Sequence, residues 1–353
     1  MWASGAYGYL SDFLWWYAIV ASLIVHTWCF FRFFPRERHP RIRIFLGNGL
    51  IFACLLSFAG LFAETYFRFL CVETDAYGVS LAAKRWHKVY ADVNSMFCRD
   101  VEWTEAKPAD VRRIAFLGDS FTYGWGINDP NDRFTELLQQ RFNRRGDRVE
   151  VMNVAWADWD TRRELAAAES MIEVYDVDEI VLCYLPNDID TLLPTGPDRD
   201  PRATPKSTYV NVESSFLLDQ LFHRVWARRL PIVRNYCDWL WDGYMNPEVW
   251  RKQAATLEEL ITLCRDRRVT LRVALFPFIK SWGERFDPPR VQSLLKEFFE
   301  SRGVATVDLL PAIDGHDADS LVVNSYDPHP NERANALFAD AIWKAFYADP
   351  RNH

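Results

Sequence analysis

Apolar positions along this chain come in two rhythms. Short runs with almost no polar interruption, at 113–117, 149–153, 179–184, 270–276 and 304–308, read as buried parallel strands. Between and after them, 131–144, 161–173, 248–266, 290–302 and 331–347 repeat apolar residues every three or four positions, the spacing of amphipathic helices. In the last of these the stripe is Ala334, Leu337, Phe338, Ala341 and Ile342. Strand and helix alternating in this way predict an α/β unit over 113–347, with a five-stranded parallel sheet between two helical layers.

The strand order expected of five such strands is 2-1-3-4-5, the flavodoxin-like three-layer α/β/α sandwich. The N-terminal part follows a third pattern. Residues 13–31 and 44–63 carry no formal charge, and each is close to the ~20 residues that a membrane-spanning helix needs. Trp15, Trp16, Tyr17, Trp28 and Tyr66 line or flank these runs, as interfacial anchors do. Residues 1–71 are therefore expected to form a transmembrane hairpin, with 72–112 as a linker and entry region. Arg32, Arg36, Arg38, Arg41 and Arg43 crowd the connection between the runs, whereas residues 1–12 have no lysine or arginine. That asymmetry puts the connection in the cytoplasm, and both termini and the α/β unit outside the cell membrane, in the periplasm if the cell is Gram-negative.

The first strand runs into Gly118-Asp119-Ser120-Phe121-Thr122-Tyr123-Gly124. A serine on a glycine-flanked turn between strand and helix is exposed at the sheet edge, beside unsatisfied helix N–H groups. A serine hydroxyl needs a base to become a nucleophile. Of the seven histidines, His26 lies in an apolar run, His39 in a basic loop, His87 before the sheet and His223 in a helix-like stretch. His316 lies in an acidic loop and His353 ends the chain. His329 stands in Asp327-Pro328-His329-Pro330-Asn331, directly before the last helix, with prolines that stiffen its turn. Asp327 can hold the imidazole ring, and Asp319 is a second acid that could approach it.

Gly-Asp-Ser early and Asp-x-His-Pro-Asn late resemble the SGNH/GDSL hydrolase family, in its membrane-anchored, extracytoplasmic branch. The resemblance covers roughly residues 94–347. It implies an oxyanion-hole asparagine, matched by Asn187 in Leu185-Pro186-Asn187-Asp188 after the third strand. It also implies a glycine N–H in the block Asn153-Val154-Ala155-Trp156-Ala157-Asp158, where Asp158 stands in the glycine's place. Leu185 likewise replaces a glycine before Pro-Asn-Asp. The stretch Asn94–Asp100 is similar to one found just upstream in anchored relatives. On this resemblance Ser120, His329 and Asp327 are the catalytic residues, and Ser120, Asn187 and Asp158 form the oxyanion hole.

The activity implied is hydrolysis of an acyl ester, an acetyl ester above all, on an envelope glycan or lipid. The same residues serve an O-acyltransferase that takes its acyl group from a membrane partner, and a non-catalytic envelope assembly protein could keep the scaffold. The formal net charge is −7, and residues 1–71 are net basic, so the rest is more acidic still; nucleic acid is not an expected partner. No Cys/His spacing fits zinc, and no phosphate or dinucleotide fingerprint is present, so no metal or cofactor is expected. With seven cysteines, Cys71–Cys98 and Cys237–Cys264 are candidate disulfides outside the cytoplasm, against buried thiols. An insertion at about 190–247 opens with a Pro/Asp/Thr-rich loop, Leu193 to Pro205. It then runs through Phe222, Trp226, Arg228, Arg229, Tyr236, Trp239 and Trp241. It is either a lid over the substrate or a helical subdomain packed on the core or the membrane.

Overall fold

A computed structural model describes residues 3–35, 37, 39–193, 215–226, 235–281 and 284–349. The Pro/Asp/Thr-rich loop from 194 onward, and Arg228 and Arg229, lie outside the described residues. The central sheet is parallel, with β1 (Arg112–Gly118), β2 (Val149–Ala155), β3 (Glu179–Tyr184), β4 (Thr270–Leu275) and β5 (Ala305–Asp308) in the order β2-β1-β3-β4-β5. This is the expected 2-1-3-4-5 sheet. The N-terminal helices are α1 (Ala3–Phe33), α2 (Pro40–Thr65) and α3 (Leu81–Tyr90). The short α4 (Ser120–Tyr123) follows β1, and α5 (Phe134–Arg145) and α6 (Thr161–Tyr175) flank β2. The insertion contributes α7 (Phe216–Leu221) and α8 (Tyr236–Met245), and α9 (Pro247–Arg267) and α10 (Pro288–Glu300) flank β4. A short turn at Leu310–Ile313, labelled α11, precedes α12 (Glu332–Ile342), which continues as a π-helical turn through Tyr347.

Successive side chains on a strand point to opposite faces, and the core divides accordingly. Ala115, Leu117, Ile180, Leu182, Val273 and Leu275 pack with α6, α9 and α10. Ile114, Phe116, Val181, Cys183 and Ala274 pack with α5 and α12. Both faces are covered, which is why the strands read as unbroken apolar runs rather than alternating ones.

α1 and α2 pack against each other through Phe13, Val20 and Leu61. Most of their remaining described apolar surface faces outward: Phe45 is 78 % and Phe62 77 % exposed. Both are long and apolar enough to cross a membrane. α2 runs beyond the uncharged stretch and ends in a π-helical turn, Tyr66–Leu70. No disulfide joins Cys71 to Cys98 or Cys237 to Cys264; the cysteines are thiols, and those four and Cys183 are buried. The described part of the insertion is a set of helices packed on the rest of the protein. α8 buries Trp239, Leu240 and Tyr244 in the main core, whereas α7 packs on the end of α2 and on α3.

Candidate active site

Strand β1 ends at Gly118 because the chain must fold tightly onto itself there. A Cβ at this position would lie 2.2 Å from Thr122 Oγ1 and 3.1 Å from the Cys183 Cβ. Asp119 then caps α4, its carboxylate accepting the Phe121 N–H at 3.0 Å. Gly124 closes the turn with φ +75°, in the left-handed region. The Ser120 side chain is thereby presented at the carboxyl edge of the sheet, next to the crossing between β1 and β3.

The Ser120 Oγ lies 2.9 Å from His329 Nε2, and His329 Nδ1 lies 2.5 Å from Asp327 Oδ1. The backbone N–H of His329 donates to the same carboxylate oxygen at 3.2 Å. Asp327–Pro330 is a strand, β7, paired antiparallel with β6 (Val322–Asn324). The sequence reading had only a turn here. The pairing is short and irregular, since neither proline can donate to a ladder. Asp327 is fully buried and His329 nearly so. Burial pushes the imidazole pKa down, but the Asp327 carboxylate, with the charges of Asp119 and Asp75, outweighs it and leaves His329 raised above its ordinary value. Asp319 does not approach the ring; it pairs with Lys280 at the surface.

Asn187 follows β3 in a 3-10 turn, Pro186–Leu192, whose Asp188 accepts the Leu185 N–H at 3.2 Å. The Asn187 Nδ2 donates to Asp119 Oδ2 at 3.2 Å, so Asp119 joins the nucleophile turn to the asparagine turn. Asn187 and Ser120 line one cavity of about 350 Å3 with Asp158 and His329. Asp158 adopts φ +73°. This is the conformation a glycine takes freely, and aspartate tolerates it better than most residues. The Asp158 carbonyl accepts from Arg163 Nη1 at 2.8 Å.

Several contributors were not visible in the sequence. Ala76, Tyr77 and Val79 of the entry region form one wall of the cavity, and Tyr236 and Cys237 of α8 another part. The wall is folded by Asp75, whose carboxylate accepts from the N–H groups of Tyr77, Val79 and Ser80. It is fastened by Trp125 Nε1 donating to the Asp75 carbonyl at 3.2 Å. Behind the nucleophile turn, Arg99 donates to the carbonyls of Gly124 and Ile127, and Asp100 accepts the Asn153 N–H at 2.8 Å. The stretch Asn94–Asp100 is thus a brace for the turn. Near Asp119 lie Glu164 and Asp188, fully buried, with both Glu164 oxygens lacking a hydrogen-bond partner among the described residues. Burial, reinforced by their mutual repulsion and that of Asp119, raises both carboxyls above the usual range.

A serine hydroxyl on a base that is itself oriented by an acid is the arrangement of a serine hydrolase, and the family can now be stated. The model of the GDSL-like lipase/acylhydrolase family matches residues 116–337, more than half of the chain, and the protein belongs to that family. No curated protein sequence matches it. Among solved structures, TesA is 13% identical with a TM-score of 0.45, covering 67% of this chain and 98% of that one. A catalytic mutant of Axe2, an acetylxylan esterase from Geobacillus stearothermophilus, is 14% identical with a TM-score of 0.41, covering 66% and 93%. The psychrotrophic esterase EstA from Pseudoalteromonas sp. is 13% identical with a TM-score of 0.40, covering 66% and 96%.

Proposed function

We propose that this protein is a membrane-anchored serine esterase that hydrolyses an acyl ester, an acetyl ester of an extracytoplasmic glycan or lipid being the favoured substrate class. The observation that carries the reading is the hydrogen-bonded line from Ser120 Oγ through His329 to Asp327. In this reading His329 Nε2 takes the Ser120 proton as Oγ attacks the ester carbonyl. Asp327 orients the ring and stabilises the imidazolium. The developing oxyanion is met by the Ser120 N–H, the Asn187 amide and the backbone N–H at Asp158. His329 then gives its proton to the departing alcohol. Water, deprotonated by the same ring, attacks the acyl-serine and releases the acid.

The catalytic unit of this proposal is 113–347, on a hairpin formed by residues 1–71. The exposed apolar surface of α1 and α2 supports a bilayer around them, and the arginines between them support an extracytoplasmic catalytic unit. A second reading, O-acyl transfer to a glycan from a membrane acyl donor, is favoured by one observation. The Ala76–Val79 wall of the cavity follows closely on α2, which on the hairpin reading supports access from a membrane-borne donor. An intact Ser120–His329–Asp327 line counts against a non-catalytic scaffold.

The test uses the purified full chain in detergent with p-nitrophenyl esters from acetate to octanoate, beside Ser120→Ala. Sustained turnover that vanishes in the variant supports the esterase. One equivalent of p-nitrophenol followed by arrest supports transfer. Equal rates from both proteins would refute both.

A further inference from the structure

The end of α2 is attached to the insertion by a buried ion pair. Glu64 and Arg68 meet at 2.7 Å with both side chains almost fully buried. The remaining capacity of the Glu64 carboxylate is taken by the Ser215 hydroxyl at 2.8 Å, the Phe216 N–H at 3.0 Å and the Leu217 N–H at 2.9 Å. A membrane-helix carboxylate thus caps the start of α7. Ala63, the residue before Glu64, closes the uncharged run of α2, so this junction lies where the hydrocarbon layer ends.

The helical segment that starts there is Phe216–Leu221 with its π-helical continuation Phe222–Trp226. Such a segment is about 16 Å long. Its start is held at Glu64, and near its end the Arg224 guanidinium lies 5.1 Å from the Phe67 ring and also pairs with Glu73. The segment therefore packs beside the stem between Glu64 and Glu73. Its inner face carries Phe216, Asp219 and Gln220, all buried, with Asp219 accepting the Leu81 N–H at 2.9 Å. Its outer face carries Leu218, Leu221 and Val225, 45 %, 50 % and 47 % exposed. That i, i+3, i+7 spacing is one stripe of a helix. On the stem beyond Glu64, Phe69 and Leu70 are exposed as well, at 49 % and 70 %.

We infer that residues 216–226 form an interfacial helix, whose Leu218–Leu221–Val225 stripe is seated in the boundary between lipid headgroups and acyl chains. The occupant is the bilayer, because the segment is fastened at Glu64, where the uncharged run of α2 ends, and its apolar stripe is exposed there. This rests on the hairpin reading of α1 and α2. Its consequence is that the catalytic unit does not swing on its anchor. The helix braces α3 and the segment after α2, and Arg224 also donates to the Tyr326 hydroxyl at 2.8 Å, one residue before Asp327. The cavity wall at Ala76–Val79 is held at a fixed height above the membrane.

The test is carbene labelling of the full chain in phosphatidylcholine/phosphatidylglycerol vesicles that contain a phospholipid with a diazirine high on its acyl chain. Adducts are mapped by mass spectrometry. Leu218, Leu221 and Val225 are expected to carry adducts together with Phe52–Phe62 of α2, while Val174, exposed at the opposite edge of the sheet, stays at the dark control. Combined Leu218→Ser, Leu221→Ser and Val225→Ser substitutions should reduce the 216–226 adducts to background and leave the α2 adducts unchanged. Adducts on α2 without any on 216–226 in the unmodified chain would overturn the inference while keeping the hairpin. Absence from both would overturn the hairpin reading and the inference with it.

Discussion

Two regions of this molecule are each organised around a buried carboxylate, and they use it in opposite ways. At the end of α2, Glu64 is saturated: Arg68, the Ser215 hydroxyl and two backbone N–H groups converge on it. At the sheet edge, Asp327 gives one oxygen to the His329 ring and backbone, and its other oxygen has no hydrogen-bond partner among the described residues. A saturated carboxylate fixes two elements in one arrangement. An unsaturated one beside a histidine keeps its charge effective for the imidazolium that forms during reaction. The contrast separates a group that holds the fold from a group that acts on a neighbour.

Substitutions sharpen the contrast. Asp327→Asn keeps the shape but removes the charge and the preferred tautomer, and kcat should fall by about 10⁴ with the fold retained. This is read by ester hydrolysis alongside circular dichroism. Asn187→Ala removes one oxyanion donor, and kcat should fall by about 10²–10³ with KM little changed. Glu64→Ala should act on stability instead. It leaves Arg68 buried without its carboxylate, at a cost of about 3–5 kcal/mol, visible as a lowered Tm in detergent. If Glu64→Ala lowered kcat with an unchanged Tm, the division of roles drawn here would fail.

The pH dependence probes the same pair. In the proposed mechanism His329 must be neutral to accept the Ser120 proton, and Asp327, with Asp119 and Asp75, holds its pKa above the ordinary histidine value against the effect of burial. Activity should therefore be lost, as pH falls, at a pH above about 6.5. In Asp327→Asn the Asp327 part of the upward push is lost, Asp119 and Asp75 remain, and burial still acts downward, so the acid limb of the residual activity should move to lower pH. The smallest effect is expected at Asp158→Gly. The φ of +73° suits glycine, and removing a carboxylate from the cavity should raise kcat about fivefold, the size of a ~1 kcal/mol repulsion across a water-like dielectric. An unchanged rate would mean that this carboxylate points away from the oxyanion.

The sheet was legible because doubly covered strands leave unbroken apolar runs. The order of β1 to β5 follows from right-handed crossovers on both faces. The blocks of the proposed site stand out in the sequence because each is a short local motif: Gly118 to Gly124, Leu185 to Asp188, and Asp327 to Asn331. Only the topology brings them together, with 209 positions separating Ser120 from His329. What was missed depends on long-range pairing of ordinary-looking residues. Nothing in Asp75 or Trp125 alone signals that they fasten a cavity wall. Glu64 meets Ser215 across 151 positions, with no local pattern to announce it. Helix α3 escaped notice because Leu81–Tyr90 mixes aromatic, basic and apolar residues, and its buried face is defined by α7 and by Arg85 donating to the Cys71 carbonyl. The possible disulfides failed for a related reason: equal suitability in sequence says nothing of where two thiols lie in the fold.

The central claim is that Ser120 is a nucleophile activated by His329. It is tested most directly by treating the full chain with a fluorophosphonate and locating the adduct by mass spectrometry, beside Ser120→Ala and His329→Ala. The account predicts one phosphonyl group per chain on Ser120, none in Ser120→Ala, and a labelling rate in His329→Ala lower by several orders of magnitude. An adduct on another residue, or a rate in His329→Ala equal to that of the unmodified protein, would contradict it.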